Sequence, residues 1–194
     1  MSIEGGGWGG RPFEDGASAS VSICQGDVRN APIENIELKC PVIVEERLLR
    51  QDSGGAGKFR GGLGLDSKVR NLVEGRWNLI QTGRRQCPHW GLWGGKAGAT
   101  SDCLLQLPDE SDWKSVDVAM HAVPGNTRAV IRTAGGGGWG SPLEREPERV
   151  RMDVLEGFVS AEAARTEYGV ILGQGLAIDT GATKKLRDSM RKGG

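Results

Sequence analysis

The chain has 194 residues and 32 glycines, where glycine makes up roughly 7% of an average soluble protein, and its 25 basic residues balance 25 acidic ones. This zero net charge argues against a general nucleic-acid binder, which needs a basic surface to neutralise phosphates. The longest apolar runs, such as 42–44 and 170–172, fall far short of the roughly 20 residues that span a bilayer. The start of the chain lacks the basic and apolar regions of a signal peptide, so we expect a cytoplasmic protein.

The glycine excess has three usual causes, which are collagen, disorder and a fold with special backbone positions. No Gly-X-Y repeat is present, which excludes collagen. Hydrophobic residues make up 37% of the chain and six are tryptophan, which argues against disorder. The glycines therefore predict loops that need positive φ or close backbone approach, in one domain with or without an appendage.

The cysteines at positions 24, 40, 87 and 103 form no CxxC pair, and His89 and His121 are not at zinc-ligand spacing. A zinc site needs ligand pairs two to four residues apart. We therefore expect reduced, structural cysteines and no metal site in this chain.

The first half of the chain has the pattern of strands separated by glycine-rich loops. Residues 17–24 alternate small or apolar with polar side chains, which is typical of a half-buried strand. Pro41 precedes an extended segment that ends at Asp52. Two β-hairpins are also predicted, one with arms 68–73 and 77–81 around Glu74-Gly75, the other with arms 116–123 and 127–132 around Pro124-Gly125-Asn126.

The sequence after residue 142 is helical in pattern. Residues 147–156 precede Gly157, and Ser160 can cap a helix over 161–168 that Gly169 ends. A third helix begins near residue 179 and carries a basic C-terminal half, which favours a solvated face and suits the helix dipole. We predict an α+β fold: a β-rich body with glycine-rich loops over residues 1–142, followed by two or three short helices that pack on it from 143–194.

The glycine-rich segment 52–64 resembles a nucleotide-binding loop but matches neither common motif. A P-loop needs a glycine five residues before Gly57 and Ser or Thr after Lys58, yet Asp52 and Phe59 stand there. The Rossmann fingerprint also fails, because Gly64 is followed by Leu-Asp-Ser and not by the third glycine that the motif needs three residues later. Two interpretations stay open: an anion nest or oxyanion hole made of backbone N–H groups, and tight turns packed against a neighbouring strand.

Two further glycine clusters, 89–98 and 133–142, can bring a ligand or another backbone very near the main chain. His89, beside Trp90, is more typical of a packed or surface histidine than of a general base. The glycine run 5–10 would be costly to order at a free terminus, so we expect the body to continue from another polypeptide.

Six motifs occur together in one order along the chain: Asp15-Gly-Ala-Ser18, residues 31–37, 52–64, 91–98, 133–142 and 159–170. In this order and spacing the chain resembles the C-terminal part of the hydantoinase B / 5-oxoprolinase family. Six collinear motifs are far more specific than any single glycine run.

The resemblance implies an ATP-dependent multi-subunit enzyme. A hydantoinase A-like partner binds ATP and phosphorylates a carbonyl oxygen of the substrate. The B side then hydrolyses a lactam or cyclic imide, or, in acetone and acetophenone carboxylases, directs attack on carbon dioxide or bicarbonate. Phosphorylation makes the oxygen a leaving group, and a donor-lined pocket can stabilise the developing charge.

The B-type proteins of the family are far longer than this chain, and their His/Asp metal site lies in the N-terminal half, which has no counterpart here. We therefore expect a split C-terminal subunit or a truncated product, inactive alone, with ATP and a divalent metal on its partners. Those partners are an A-like subunit and a larger B-like chain. No catalytic residue is assigned, but a substrate or intermediate channel is predicted at Asp52, Ser53, Gly54, Gly55, Lys58, Arg60, Gly135, Gly136, Gly137 and Gly138.

Three hypotheses follow. The first is lactam or imide hydrolysis, the second is biotin-independent ketone carboxylation, and the third is a structural subunit whose loops only pack against a larger partner.

Overall fold

The computed structural model describes residues 4–21, 31–79 and 85–192. Within these ranges helix α1 spans Ile33–Lys39, and the strands are β1 (Val42–Leu49), β2 (Leu65–Asn71), β3 (Gly75–Asn78), β4 (Asp102–Gln106), β5 (Lys114–Ser115), β6 (Met120–Val123) and β7 (Arg128–Arg132). Three further α-helices follow, α2 (Pro147–Leu155), α3 (Ala161–Thr166) and α4 (Thr180–Lys192). The predicted α+β class is confirmed, whereas the domain division after residue 142 stays a prediction.

The main sheet has five antiparallel strands in the order β1-β2-β7-β4-β5, and β3 and β6 form a separate two-stranded sheet. The prediction of β1 is confirmed, with a bulge between Val44 and Glu46. The predicted strand 17–24 is described only to residue 21, where a single bridge joins Ser20 to Gly6, and residues 22–24 lie outside the described ranges.

Both predicted hairpins are wrong. β2 pairs with β1 and β7, whereas β3 pairs with β6, so the arms on either side of Glu74-Gly75 belong to different sheets. The second turn, around Gly125, likewise joins β6 to β7 in the other sheet. Each turn is a corner at which the chain passes between sheets, and the two corners lie side by side. Residues 80 and 81 of the first predicted hairpin lie outside the described ranges.

The buried side chain of Asn71 joins these two corners. Its Nδ2 donates to the carbonyl of Val73 at 2.7 Å and to that of Pro124 at 2.9 Å. Its backbone N–H donates to the carbonyl of Thr127 at 3.0 Å, and Asn126 N–H donates back to the Asn71 carbonyl. One polar residue therefore satisfies main-chain groups of both turns.

The C-terminal helices form where the sequence predicts them. α2 begins with Pro147 in its first turn, and Gly157, with φ of 75°, lies just beyond its end. Ser160 caps α3 by accepting a hydrogen bond from Ala163 N–H at 3.0 Å. α1 was not predicted from the sequence, and none of its residues is buried. In the described ranges no helix has the length and apolar character needed to cross a membrane.

Two hydrophobic clusters form the described core. The first joins Ala56 of a glycine-rich segment to α2, α3 and the residues around them, through Val150, Val159, Ala164, Tyr168 and Val170. The second lies on the sheets and contains Leu105, Val123 and Ala129. The helices therefore pack directly on the glycine-rich part of the molecule.

Candidate functional site

The glycine-rich segments come together as six extended passes of main chain, which we call the glycine bundle: residues 5–10, 16–20, 53–57, 60–64, 89–99 and 133–140. Pass 60–64 leads into β2, and pass 133–140 follows β7. The sheet thus holds two of the passes at fixed positions.

None of the named strands lies within the passes, yet backbone hydrogen bonds join one pass to the next. Gly7 and Gly10 donate to Ala134 and Gly137, each at 2.8 Å. Along pass 133–140, Gly135 and Gly138 donate to pass 89–99, and Gly136 between them donates to Gly62. Bonds to the same neighbour recur every third residue, which is the repeat of an extended helix with three residues per turn.

At several glycines the passes lie too close together for any side chain. A Cβ built on Gly135 would overlap the carbonyl oxygen of Ser53, one on Gly136 that of Trp8, and one on Gly62 that of Ala17. None of these three glycines has a positive φ. Close backbone approach is therefore the reason for glycine at these positions. In the bundle the glycine-rich segments of the sequence pack against one another.

The predicted channel residues all belong to the bundle or its margin. Ser53 and Arg60 are buried, as are Gly55 and Gly135 to Gly138, and Gly54 is half-buried. Ser53 Oγ accepts a hydrogen bond from Gly64 N–H at 2.9 Å. The structure thus brings these residues together, and their role as a channel stays a prediction.

Asp52 and Lys58 are the exposed members of this set. Asp52 has φ of 58°, and its Oδ1 accepts a hydrogen bond from Ser160 N–H at 2.8 Å, which ties the bundle to the start of α3. Lys58 lies 3.8 Å from the Glu144 carboxylate across the surface. A ligand or partner can therefore reach Lys58 directly.

His89 lies against pass 133–140, with its Nδ1 at 2.8 Å from the carbonyl oxygen of Gly135. Because a carbonyl can only accept, Nδ1 is the donor in this contact. The ring is half-buried and fixed in orientation. His89 is thus held by the backbone of a predicted channel residue, a contact that the sequence did not suggest.

A buried ionic cluster lies under the bundle, at its junction with the C-terminal helices. Arg145 is 2% exposed, and its guanidinium contacts both oxygens of Asp15, at 2.7 and 2.8 Å, and Asp153 at 2.7 Å. Arg60 lies 3.5 Å from the Asp153 carboxylate and stacks 5.2 Å from the ring centre of Phe158. Two arginines and two aspartates therefore share one buried region, where such pairs need good geometry to offset desolvation.

Charge and burial act against each other in this cluster. Burial raises the pKa of Asp15, but hydrogen bonding to Arg145 and its charge outweigh that effect and hold the pKa below its usual value. For Arg145, burial lowers the pKa, and the bonds and charges of Asp15 and Asp153 outweigh it and raise the pKa. Burial raises the pKa of Tyr168, whose hydroxyl has no hydrogen-bond partner among the described residues. At neutral pH Asp15 is therefore a carboxylate, Arg145 a guanidinium and Tyr168 a neutral phenol.

Sequence reasoning found Arg60 of this cluster but missed Arg145 and Asp153. The sequence signal for these two residues was their position relative to α2. Arg145 lies two residues before α2, and Asp153 lies on the face of α2 that also buries Val150. A charged residue at an apolar helical position indicates a buried pair. The partner Asp15 lies 130 residues away, so no local pattern could identify it.

The described cysteines are free thiols. Cys40 and Cys87 are exposed and Cys103 is buried. Burial raises the pKa of Cys103 to about 11, so its thiol is protonated at neutral pH. Within the described ranges no three His, Cys, Asp or Glu side chains are grouped so that they could hold a metal ion.

An exposed aromatic turn, residues 90–93, projects from the edge of the bundle. Trp93 is 80% exposed and has φ of 55°, a left-handed conformation that is rare for an aromatic residue. Trp90 and Leu92 are also largely exposed, and the segment continues into a tight turn over residues 92–95 that a hydrogen bond from Gly95 N–H to the Leu92 carbonyl closes. Exposed aromatic groups of this kind mark interaction surfaces.

Comparison with known proteins places this arrangement in a family. The family described as Hydantoinase B/oxoprolinase matches residues 1–142, and the chain belongs to it. A protein of Pseudomonas sp. (strain NS671), provisionally named as the B-type subunit of a D-/L-hydantoinase, is 36% identical over 96% of this chain. The acetone carboxylase alpha subunit of Xanthobacter autotrophicus is 25% identical, also over 96% of this chain.

The fold is also found in a solved structure. The crystal structure of the ATP-dependent caprolactamase from Pseudomonas jessenii covers 94% of this chain with a TM-score of 0.81 and 29% identity. The chain spans only 32% of that caprolactamase chain, 32% of the hydantoinase subunit and 29% of the acetone carboxylase subunit. By name these relatives are a hydantoinase subunit, an acetone carboxylase subunit and an ATP-dependent caprolactamase, of each of which this chain matches about a third.

Proposed function

We propose that the chain works as the small B-type component of an ATP-dependent multi-subunit enzyme that acts on a carbonyl activated by phosphorylation. The observation that carries the proposal is the match of nearly the whole fold, glycine bundle and C-terminal helices included, to one third of the caprolactamase. The reaction that we favour is hydrolysis of a lactam or cyclic imide.

Relative sequence similarity supports hydrolysis over carboxylation. The hydantoinase subunit shares 36% of aligned residues, against 25% for the acetone carboxylase subunit over an equal share of this chain. In such hydrolysis the γ-phosphoryl group of ATP moves to the carbonyl oxygen, water attacks the carbon, and the ring C–N bond breaks with the nitrogen leaving as the amine. A second water then releases phosphate from the resulting acyl phosphate. The glycine bundle, whose passes are in close backbone contact, would supply a rigid wall for the activated intermediate.

Ketone carboxylation is the second candidate. The alignment with the acetone carboxylase subunit reaches the same 96% of this chain, so the bundle and the helical segment both have counterparts there. The two reactions differ in the partner of the activated substrate: in hydrolysis water attacks its carbonyl carbon, whereas in carboxylation the activated substrate attacks carbon dioxide or bicarbonate.

The proposal assigns ATP and a divalent metal to partner subunits. Those partners are a hydantoinase A-like subunit that phosphorylates the substrate and a larger B-like chain that supplies the rest of the B-type fold. The aromatic turn 90–93 would contact the B-like chain, because the large apolar side chain of Trp93 is 80% exposed in this chain.

Reconstitution tests the proposal. The chain is combined with an A-like subunit and a B-like chain from its own organism, and ADP formation is followed with lactams and cyclic imides, with and without bicarbonate. Ring opening that needs ATP and all three chains, but no bicarbonate, is the expected result. Bicarbonate-dependent consumption of a ketone would replace hydrolysis by carboxylation, and unchanged turnover without this chain would overturn both.

The structural-subunit hypothesis needs a variant that leaves the fold intact. Arg60 is unsuitable because it belongs to the buried ionic cluster. Lys58→Gln changes an exposed ammonium next to Glu144, and Lys39→Gln, at the exposed end of α1, is the matched control. A fall in turnover with Lys58→Gln alone, in a complex that still assembles, supports a role in the reaction. Equal turnover of both variants supports a structural subunit.

A further inference from the structure

A cavity of about 240 Å³ lies between α4 and the start of α2, away from the glycine bundle residues discussed above. Its walls include the basic side chains of Lys184, Arg187 and Arg191, the hydroxyl-bearing Thr180, and the apolar Ile178 and Pro147. The volume suits a small ion or a short organic acid.

Three cations of one helix face line this cavity. Lys184, Arg187 and Arg191 are separated by three and four residues, so they lie on one side of α4. Such like charges destabilise a helix unless opposite charge is near. Asp188, also in the lining, is 3.5 Å from Arg191, so the lining keeps an excess of positive charge.

Arg187 is the half-buried member of this group. Its Nε donates to the carbonyl of Tyr168 at 3.0 Å and its Nη2 to the carbonyl of Arg145 at 2.8 Å. Among the described residues no carboxylate forms an ion pair with it, although the charge of the exposed Glu146 acts on it from a distance. Burial lowers its pKa, and the neighbouring Arg191 lowers it further. A partly desolvated guanidinium held only by neutral carbonyls favours an anion at its free edge.

The start of α2 adds to this field. Pro147, in the first turn of this nine-residue helix, contributes to the cavity wall. The N-terminal end of a helix carries partial positive charge and N–H groups without helical partners. The charge of the helix end thus has the same sign as the three side chains.

We propose that this cavity binds a small oxyanion of the phosphate or carboxylate class, with Arg187 at its base and Lys184 and Arg191 at its sides. Arg187 also holds the carbonyls of Arg145 and Tyr168, which belong to the region of the buried ionic cluster. A bound anion therefore fixes the C-terminal helices against the body. This site is separate from the proposed enzymatic function and is present in the chain alone.

The experiment uses the full chain and isothermal titration with inorganic phosphate and, in a second arm, with succinate, each against sodium chloride of equal ionic strength. Saturable binding and a higher melting temperature with phosphate or succinate, but not with chloride, are expected. Binding of phosphate alone identifies a phosphate site, and binding of succinate alone a carboxylate site. No saturable binding of either anion overturns the proposal.

Variants of α4 separate a site from general screening. Lys184→Gln with Arg191→Gln should raise the dissociation constant at least tenfold, because two of the three cations are lost. Lys185→Gln with Lys192→Gln removes the same charge from the same helix outside the cavity wall and should change the constant less than twofold. Equal weakening in both double variants would mean non-specific attraction. Arg187→Gln, checked for folding by circular dichroism, should abolish binding, and an unchanged constant in the folded variant would also refute the site.

Discussion

At the residue scale the molecule depends on positions where a single atom decides the packing. The hydrogen atom of Gly135 faces the carbonyl of Ser53, and the hydrogen of Gly136 faces that of Trp8. Beneath them, Arg145 pairs with the buried Asp153 and with the partly exposed Asp15. A substitution at one of these glycines or at Arg145 is expected to destabilise the fold before it affects any catalytic step.

Gly135→Ala should lower the free energy of unfolding by about 3 kcal/mol or prevent folding, because the added methyl must displace backbone rather than side chains. Urea unfolding followed by tryptophan fluorescence measures this change. Gly75→Ala is the control, since a Cβ at that strand position meets nothing within 4 Å. Similar losses in the two variants would contradict the close-approach explanation.

Asp15 predicts a pH dependence. Its folded pKa lies below the unfolded value of roughly 3.9, so its stabilising contribution is present above that value and disappears as the pH falls through the folded pKa. Asp15→Asn should therefore lower stability clearly at pH 7, and its difference from the natural chain should shrink below pH 4. Urea midpoints between pH 3 and 7 test this.

The control for Asp15 is its exposed neighbour Glu14, which pairs with Arg11 at the surface. Glu14→Gln should change the midpoints little at any pH. A gap between Asp15→Asn and the natural chain that is constant from pH 3 to 7 would show that the carboxylate charge contributes nothing.

At the element scale, strands and helices differ in how far local sequence determines them. α2, α3 and α4 were predictable because a first-turn proline, a cap or a glycine stop lies within a few residues of each helix. The strand pairings could not be predicted in this way. The residue pattern around Glu74-Gly75 and around Pro124-Gly125-Asn126 is the same for a hairpin and for a corner between two sheets. The partner strand decides between them, and β2 finds β7 almost 60 residues later.

The ionic cluster and the bundle illustrate the same limit for the candidate site. The glycine clusters were visible in the sequence, and their grouping in one body could only come from the fold. Arg60 attracted attention because it stands in a glycine-rich motif, whereas its neighbour Arg145 stands in an ordinary charged segment. For the glycine clusters and for the ionic cluster alike, the deciding contacts join residues far apart in the chain, which no local sequence pattern shows.

Asn71→Ala should cost about 1–3 kcal/mol, because it removes a buried amide that satisfies carbonyls of both corners. Thermal unfolding measures the loss, and hydrogen exchange should rise at Asn126 and Thr127. Asn78→Ala, at the exposed end of β3, should leave stability nearly unchanged. If Asn71→Ala behaves like Asn78→Ala, the corners are held by other contacts.

At the scale of the whole molecule, the exposed aromatic turn distinguishes folding from assembly. Trp93 adopts a left-handed conformation that asparagine tolerates at lower cost. Trp93→Asn should keep or slightly raise the midpoint of urea unfolding of the free chain, and should weaken co-purification with the B-like chain at least tenfold. Leu38→Asn, at an equally exposed position on α1, is the control and should leave assembly intact. Unimpaired assembly of Trp93→Asn would remove the turn from the proposed interface.

The glycine bundle also has a consequence for how fast the chain folds. Its passes come from residues near 7, 18, 55, 62, 95 and 136, so none of them can complete its hydrogen bonds until distant parts of the chain have met. Glycine segments have the largest conformational freedom to lose, and contacts between distant residues slow the search for the native state. The backbone hydrogen bonds within the helices after residue 142 are local, so we expect these helices to form before the bundle, whose closure should then limit the folding rate.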